Sequence, residues 1–447
     1  MEKTYYELAP SQVIVKTQCQ YTLDKRVINI LAAMSTENEL DFALMEKAFN
    51  LVVERNDCLR LKFEKKDGEL KQYFRESVVF NNIPVLTFKT EKEQNDFILK
   101  IRKTPTKYKK GEVVVPYFIK TYDNKYMVFL KVCHLILDVY GIGIIYKDLF
   151  GVYDALKNNT ELPECPTSFE KLLIKDIARK NNKELTENVK KYLTDVWSSK
   201  EPPYYTSIHD NKQKDWKKAL DKNIRSMKYF FLRNNSEGYV REIGSDIVEK
   251  ALAYCEDKKL SPANFFFYTM MITSSMINGK LENMLPLVLC NCRGTIAEKK
   301  CAGSKVQQST AYVSVDYNKS FDENFESYCQ DQTEYYKHID LSPNEVAMLL
   351  KQVYGTSLLR TYYGITYSFI PVNPPKGYEF MVFNNGKFAL SAYIGQLFDV
   401  ENKKITMAYD CQTVVIDEKT VDTFHKKYLE VLNQIISDTT KPLSELK

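Results

Sequence analysis

Phe42, Met45, Phe49 and Val52 recur at spacings of three and four residues. That rhythm places them on one face of a helix, with Asp41 positioned to cap its start and Asn56-Asp57 to end it. The period then changes to two. Over residues 58–63, Leu59, Leu61 and Phe63 alternate with Arg60 and Lys62, which predicts a strand. Two further strands are predicted over 113–121 and 126–133, joined by the polar turn Tyr122-Asp123-Asn124-Lys125. Residues 141–156 read as a helix. Residues 158–166, with Asn158-Asn159, Pro163 and Pro166, read as a loop, and 169–197 as one long polar helix. Residues 200–225 are charged, contain Pro202-Pro203 and form the most linker-like stretch.

Beyond it the pattern predicts helices near 243–256 and 262–277, strands over 285–290 and 310–315, and a helix over 320–337. Asn385-Gly386 signals a hairpin between 380–383 and 388–398. A last strand over 405–409 leads to a helix capped near Asp417, whose stripe is Val421, Phe424, Tyr428, Leu432 and Ile435. The fold class is therefore mixed α/β, with adjacent strands that favour mixed or antiparallel sheets and no internal repeat.

Composition narrows the function classes. The chain has 447 residues, enough for two or three domains, with 44% hydrophobic and 27% charged residues. The net charge of +5 is scattered, which argues against nucleic acid but suits an acidic or phosphate-bearing partner. The N-terminus has no apolar run of the signal-peptide kind. The longest uncharged stretch, 260–279, contains Pro262, Asn264, Ser274 and Ser275, and its apolar centre over 265–272 is too short for a membrane span. Ten cysteines form no CxxC pair, and four histidines make a metal site improbable. Free thiols fit a reducing cytoplasm.

One constellation carries chemistry. The predicted strand Tyr126–Cys133 ends at His134; Asp138 follows four residues later, and then Val139-Tyr140-Gly141. An imidazole held at a strand end can accept or guide a proton near neutral pH, and a carboxylate paired with an arginine can lock the loop around it. Spacing alone also allows a plainer reading, in which a backbone carbonyl satisfies a core histidine and Asp138 only caps a helix. His209, His338 and His425 lie on polar or amphipathic segments and suit surface or packing roles.

Residues 133–141, Cys-His-Leu-Ile-Leu-Asp-Val-Tyr-Gly, resemble the HHxxxDGxS motif of nonribosomal peptide synthetase condensation domains and the HxxxDG motif of chloramphenicol-acetyltransferase-like acyltransferases. Arg55-Asn56-Asp57-Cys58-Leu59-Arg60-Leu61-Lys62-Phe63 is similar to the family's R-H-(D/E)-x-L-R-x-x-F pattern. Residues 8–12 resemble its opening L-(S/T)-x-x-Q segment, and Asn291-Cys292-Arg293-Gly294 its N-R-R-G segment. The strand over 405–409, the final helix and Lys441-Pro442-Leu443-Ser444-Glu445-Leu446 are similar to its C-terminal end.

This resemblance implies two chloramphenicol-acetyltransferase-like lobes in a V around a central tunnel, with 1–178 as the first lobe and 179–447 as the second. It implies that His134 is the catalytic residue of acyl transfer from a thioester to an amine or hydroxyl. It makes Asp138 structural, paired with an arginine, Arg293 in the first place and Arg60 in the second. No carrier, adenylation or phosphate-cradling motif is visible, so a stand-alone member would receive its acyl group on an acyl or peptidyl carrier protein or on coenzyme A. No permanent cofactor and no metal are implied, and one monomer can build the site. The basic residues Lys100, Arg102, Lys103, Lys107, Lys109 and Lys110 could meet such a carrier or coenzyme A phosphates, or form a solvated face.

Three positions depart from the pattern. Cys133 replaces the first motif histidine, and strand alternation turns it away from the face of His134. Val139 stands at the glycine position, where a β-branched side chain resists conformations that glycine permits and narrows the space for an acyl arm. Tyr140 is followed by Gly141 at the serine position, which moves the glycine by two residues. These departures keep open a non-catalytic alternative that binds an acyl carrier or scaffolds an assembly.

Overall fold

In the computed structural model, which describes residues 3–205, 207–209, 225–229 and 232–447, Asp41 caps the helix Phe42–Arg55 by accepting hydrogen bonds from the Ala43 and Leu44 amides. Asn56 ends that helix. The strand predicted from 58 begins three residues later. Residues Asp57–Arg60 form a 3-10 turn, and Leu61–Lys66 then pairs antiparallel with Glu69–Phe74 across the tight turn Asp67-Gly68. Both turn residues have positive φ, 52° and 83°, as a two-residue hairpin turn requires.

By contact the chain divides into two compact units. The first comprises residues up to Lys183 together with Asn291–Gln307 and Val372–Gly386; the second comprises Glu184–Cys290, Gln308–Pro371 and Lys387–Lys447. A single boundary at 178 is therefore corrected, because two later stretches fold with the first unit. The reason lies in pairing: Tyr378–Phe383 adds a strand beside Asn29–Thr36 over six residue pairs.

The first unit is built on a five-stranded sheet in the order Tyr378–Phe383, Asn29–Thr36, Tyr126–Cys133, Val114–Lys120, Val85–Thr87. All its pairings are antiparallel except the last, which is parallel. Alternation along Tyr126–Cys133 divides its side chains between two cores. Val128, Leu130 and Val132 pack with Met45, Phe49 and Val52 of Phe42–Arg55 and with Ile142, Ile145 and Leu149 of Val139–Asn158. Met127 and Phe129 point the other way, to Leu31, Ala33, Ile119 and Ile101. Each fully buried side chain of this size contributes roughly 1.5–3 kcal/mol, so the strand that delivers His134 is anchored from both faces.

The second unit carries a six-stranded sheet, in which Gln307–Ser309, Leu287–Cys290, Ile365–Val372, Ala392–Asp399, Lys404–Gln412 and Ser236–Ile243 are neighbours in that order. The helices Ser245–Lys258, Pro262–Ile277 and Glu418–Ser437 cover it. The stretch 262–277 is a buried helix, and among the described residues no helix is long and apolar enough to cross a membrane.

Two further expectations are corrected. The helix expected over 169–197 is two helices, Phe169–Lys180 and Lys183–Ser198, interrupted at Asn181-Asn182. The hairpin expected at Asn385-Gly386 does not form. Gly386 turns with φ 83°, but Tyr378–Phe383 pairs in the first sheet and Ala392–Asp399 in the second. Most of the linker-like stretch 200–225 lies outside the described residues.

Candidate active site

His134 is the first residue after the strand Tyr126–Cys133, and its amide donates to the Ile28 carbonyl at 2.7 Å, continuing the ladder by one bond. A turn over 134–137 follows, closed by Ile136 N–H to Cys133 O at 3.0 Å. The turn folds the imidazole back onto its own backbone. His134 Nδ1 lies 3.0 Å from the Leu137 carbonyl oxygen. A carbonyl can only accept, so Nδ1 carries the proton and Nε2 keeps its lone pair. Burial pushes the His134 pKa below the ordinary 6.5, against the opposing pull of Asp138 and the backbone bonds. The ring is therefore neutral at pH 7, and the residue still keeps partial solvent exposure. A neutral imidazole in this tautomer can accept a proton at Nε2.

Asp138 faces away from this chemistry. Its Oδ1 accepts from the Gly141 amide at 2.7 Å and caps the helix Val139–Asn158. Arg293 meets it side-on, Nη1 to Oδ2 at 3.0 Å and Nη2 to Oδ1 at 3.1 Å. A fourth donor, the Lys305 amide, reaches Oδ2 at 2.8 Å. The side chains of Arg293 and Asp138 are 0% and 1% exposed. The remaining guanidinium protons go to the carbonyls of Gly303, Asn291 and Cys301, and the Tyr140 ring lies 4.7 Å from its centre. Arg60 is elsewhere. It donates to the carbonyls of Val53 and Glu54 at the end of Phe42–Arg55 and to Arg75 O. It therefore braces that helix end and is not a partner of Asp138.

Both contacts of the plainer reading, a ring bonded to a carbonyl and a capping aspartate, are present. They coexist with the partial exposure of His134 and with a buried Asp138–Arg293 pair, which a core histidine does not need. Cys133 is wholly buried in the first core, and burial pushes its thiol to about 12, so it stays protonated and unreactive. Val139 is the first residue of its helix and is absent from the positive-φ residues. Gly141 is where glycine is required: a Cβ there would sit 1.8 Å from the Ala302 carbonyl oxygen.

The opening segment also serves the site. Gln12 Nε2 donates to Leu135 O at 2.8 Å, inside the His134 turn, and Ser11 Oγ donates to Ser304 O at 2.8 Å. The Arg55-Asn56-Asp57 segment ties helices together. Arg55 and Asn56 both bond the Asp148 carboxylate, and Asp57 accepts from the amides of Phe169 and Glu170. Residues 301–305 belong to the site without any motif that marks them. The only signal there is the run of small residues Ala302-Gly303-Ser304, which lets backbone approach backbone.

The other histidines belong to the second unit. His425 bridges Tyr409 OH and Glu242 O, and His338 stacks on Tyr192. His209 is buried. Among the described residues no group of acidic, histidine and cysteine side chains could hold a metal ion.

Comparison with known proteins gives the following likenesses. The family model described as Condensation domain matches residues 2–220. Bacitracin synthase 3 of Bacillus licheniformis is 24% identical over 210 residues, 43% of this chain and 3% of that protein. A plipastatin synthase polypeptide of Bacillus subtilis (strain 168) is 19% identical over 440 residues, which is 95% of this chain and 16% of that protein. The chain thus spans a small fraction of the length of these curated relatives. Among solved structures, a variant of the starter condensation domain of rhizomide synthetase in complex with C8-CoA has a TM-score of 0.80 at 18% identity, covering 99% of this chain and 98% of that one. The first condensation domain of the calcium-dependent antibiotic synthetase, in complex with a substrate analogue, has a TM-score of 0.80 at 13% identity, covering 99% of each chain. The fold is the mixed α/β architecture with two chloramphenicol-acetyltransferase-like lobes that the motifs implied.

Proposed function

Residues 2–220 match the condensation-domain family model, and from that match together with the site geometry we propose that the chain transfers an acyl group from a thioester to an amine or hydroxyl acceptor. Amide formation is the first choice and ester formation the second. The observation that carries this reading is the state of His134: a neutral ring, oriented by the Leu137 carbonyl, with Nε2 free of the proton. Nε2 takes the proton of the attacking amine or hydroxyl as the new bond to the thioester carbonyl forms; the carbon–sulfur bond then breaks, and the same proton passes from Nε2 to the leaving thiolate, which restores the neutral ring. Cys133 takes no part. Asp138 and Arg293 hold the turn and do not touch the reacting atoms.

The donor is a thioester of coenzyme A or of a phosphopantetheine-bearing carrier protein. The rhizomide starter domains, solved with C8-CoA and in one case also with Leu-SNAC, support a thioester donor and an amine-bearing acceptor. No resident cofactor enters the mechanism. The ten cysteines are thiols, nine of them partly or fully buried and Cys165 exposed, which suits a reducing compartment such as the cytoplasm.

The test is a panel of acyl-coenzyme A and acyl-carrier thioesters with amine and alcohol acceptors, read by intact mass. Product should form with the wild-type chain and fall by about 10²–10⁴-fold in His134→Ala, and it should persist in Cys133→Ala. Turnover unchanged in His134→Ala would remove this mechanism. Tight carrier binding without transfer would establish the scaffolding alternative.

A further inference from the structure

Residues 303–305 make three consecutive contacts with the turn that carries His134. Gly303 forms an isolated antiparallel bridge with Leu137, and its carbonyl takes the shortest of the Arg293 bonds, 2.6 Å. The Ser304 amide donates to Ile136 O at 3.0 Å. The Lys305 amide donates to Asp138 Oδ2 at 2.8 Å. So Ile136, Leu137 and Asp138 are each gripped, and Leu137 supplies the oxygen that fixes the His134 tautomer.

What holds this strap in place is a charged side chain in an unusual setting. Lys305 is 4% exposed, a burial that lysine rarely tolerates without a counter-charge. Its Nζ meets both Asp176 oxygens, at 3.1 and 2.9 Å, and lies 3.7 Å from Glu298 Oε1. Asp176 lies on the helix Phe169–Lys180, whose Phe169 ring occupies the space a Cβ on Gly303 would need. One end of Lys305 is thus bolted to that helix and the other to Asp138.

We propose that Lys305, through its ion pair with Asp176, is a positioning residue that sets the tautomer and hydration of His134. The proposal deepens the acyl-transfer reading and rests on it for its functional meaning. The logic is geometric. With the ammonium removed, Lys305 no longer fixes the strap, the bonds to Ile136 O and Asp138 weaken, and the Leu137 carbonyl is free to turn from Nδ1. More water then reaches the ring than its present partial exposure allows. Burial is the largest influence holding the His134 pKa down, so hydration raises it towards the ordinary value.

The test observes the imidazole itself by ¹⁵N and ¹³C NMR titration of the full chain, with no substrate needed. A failed acyl-transfer assay therefore leaves it intact. Two variants are compared. Lys305→Met keeps the buried volume without the charge. Asp176→Asn keeps Lys305 and removes the charge of its main partner at a position that reaches solvent, and it decides alone if Lys305→Met does not fold. The expected result in both is an upward shift of the His134 titration and a mixed tautomer in place of the single Nδ1–H form. A purely structural role would lower the melting temperature and leave the ring's titration and tautomer as in the wild type. That outcome in folded Asp176→Asn would overturn the proposal.

Discussion

Replacing Asp138 by Asn tests the buried pair with almost no change of shape. Each carboxylate oxygen accepts two donors: Oδ1 serves the Gly141 amide and Arg293 Nη2, and Oδ2 serves the Lys305 amide and Arg293 Nη1. An asparagine keeps one oxygen and presents an NH₂ in place of the other. Whichever way it is turned, two donors lose their acceptor and face another donor, and the guanidinium, 0% exposed, loses its counter-charge. Unpairing a buried ion in this way costs about 3–5 kcal/mol. At 1.36 kcal/mol per decade that is roughly a 10²–10⁴-fold rise in local opening. Hydrogen exchange with mass detection reads it directly, in peptides covering 134–141 and 291–307. A double-mutant cycle with Arg293→Met supplies a second measure. The coupling between the two changes should be about 0.5–3 kcal/mol. Unchanged exchange in both peptides, or single effects that simply add, would refute the claim that this pair locks the turn.

The depressed pKa of His134 gives stability a definite pH dependence. In the window between the ordinary value of 6.5 and the lower folded value, the unfolded chain binds the extra proton. Stability therefore is fully present above pH 6.5 and falls as the pH drops through that window; His425, also depressed by burial, adds in the same direction. Denaturant titrations between pH 5 and 8 should show a shallower slope in His134→Asn than in the wild type, and an equal slope would contradict the neutral assignment. Two glycines of the same helix should respond oppositely to alanine. Gly141→Ala forces a Cβ to 1.8 Å from Ala302 O and should cost about 1–3 kcal/mol. Gly143→Ala meets nothing within 4 Å and should stabilise the helix by about 0.5–1 kcal/mol. Thermal melts of the two variants check both signs.

Elements with a strong local period were legible in the sequence. The stripe Phe42, Met45, Phe49, Val52 and the cap at Asp41 gave one helix; the run over 126–133, set off by the polar turn 122–125, gave the strand that delivers His134. What failed was decided by partners far along the chain. Asn385-Gly386 has the composition of a hairpin turn, but Tyr378–Phe383 gains more by pairing with Asn29–Thr36 than with its neighbour in sequence. Arg60 and Arg293 were both plausible mates for Asp138. Sequence could not separate them, because nothing in it shows that Arg60 is spent on the carbonyls at the end of the preceding helix. The strap 303–305 contributes mainly backbone amides and carbonyls, which every residue carries, so no side-chain pattern announces it. Lys305 gave no sign of burial, since one lysine among many reads as surface until its partner Asp176 is known.

The geometry of the turn also separates two effects that the family glycine could have. A glycine after the aspartate could serve the backbone, by allowing a left-handed conformation, or serve space, by leaving a gap. At Val139 the first need is absent: the residue begins an ordinary helix, and its φ is not positive. Its side chain is half-buried and rests on the first core. The backbone demand for glycine falls instead on Gly141, where the Ala302 carbonyl approaches too closely for any side chain. Val139 therefore leaves the turn, the Leu137 carbonyl and the His134 tautomer undisturbed. On the proposed acyl-transfer reading, any influence of Val139 acts through the volume of its two methyl groups and leaves the proton-accepting state of the ring unchanged.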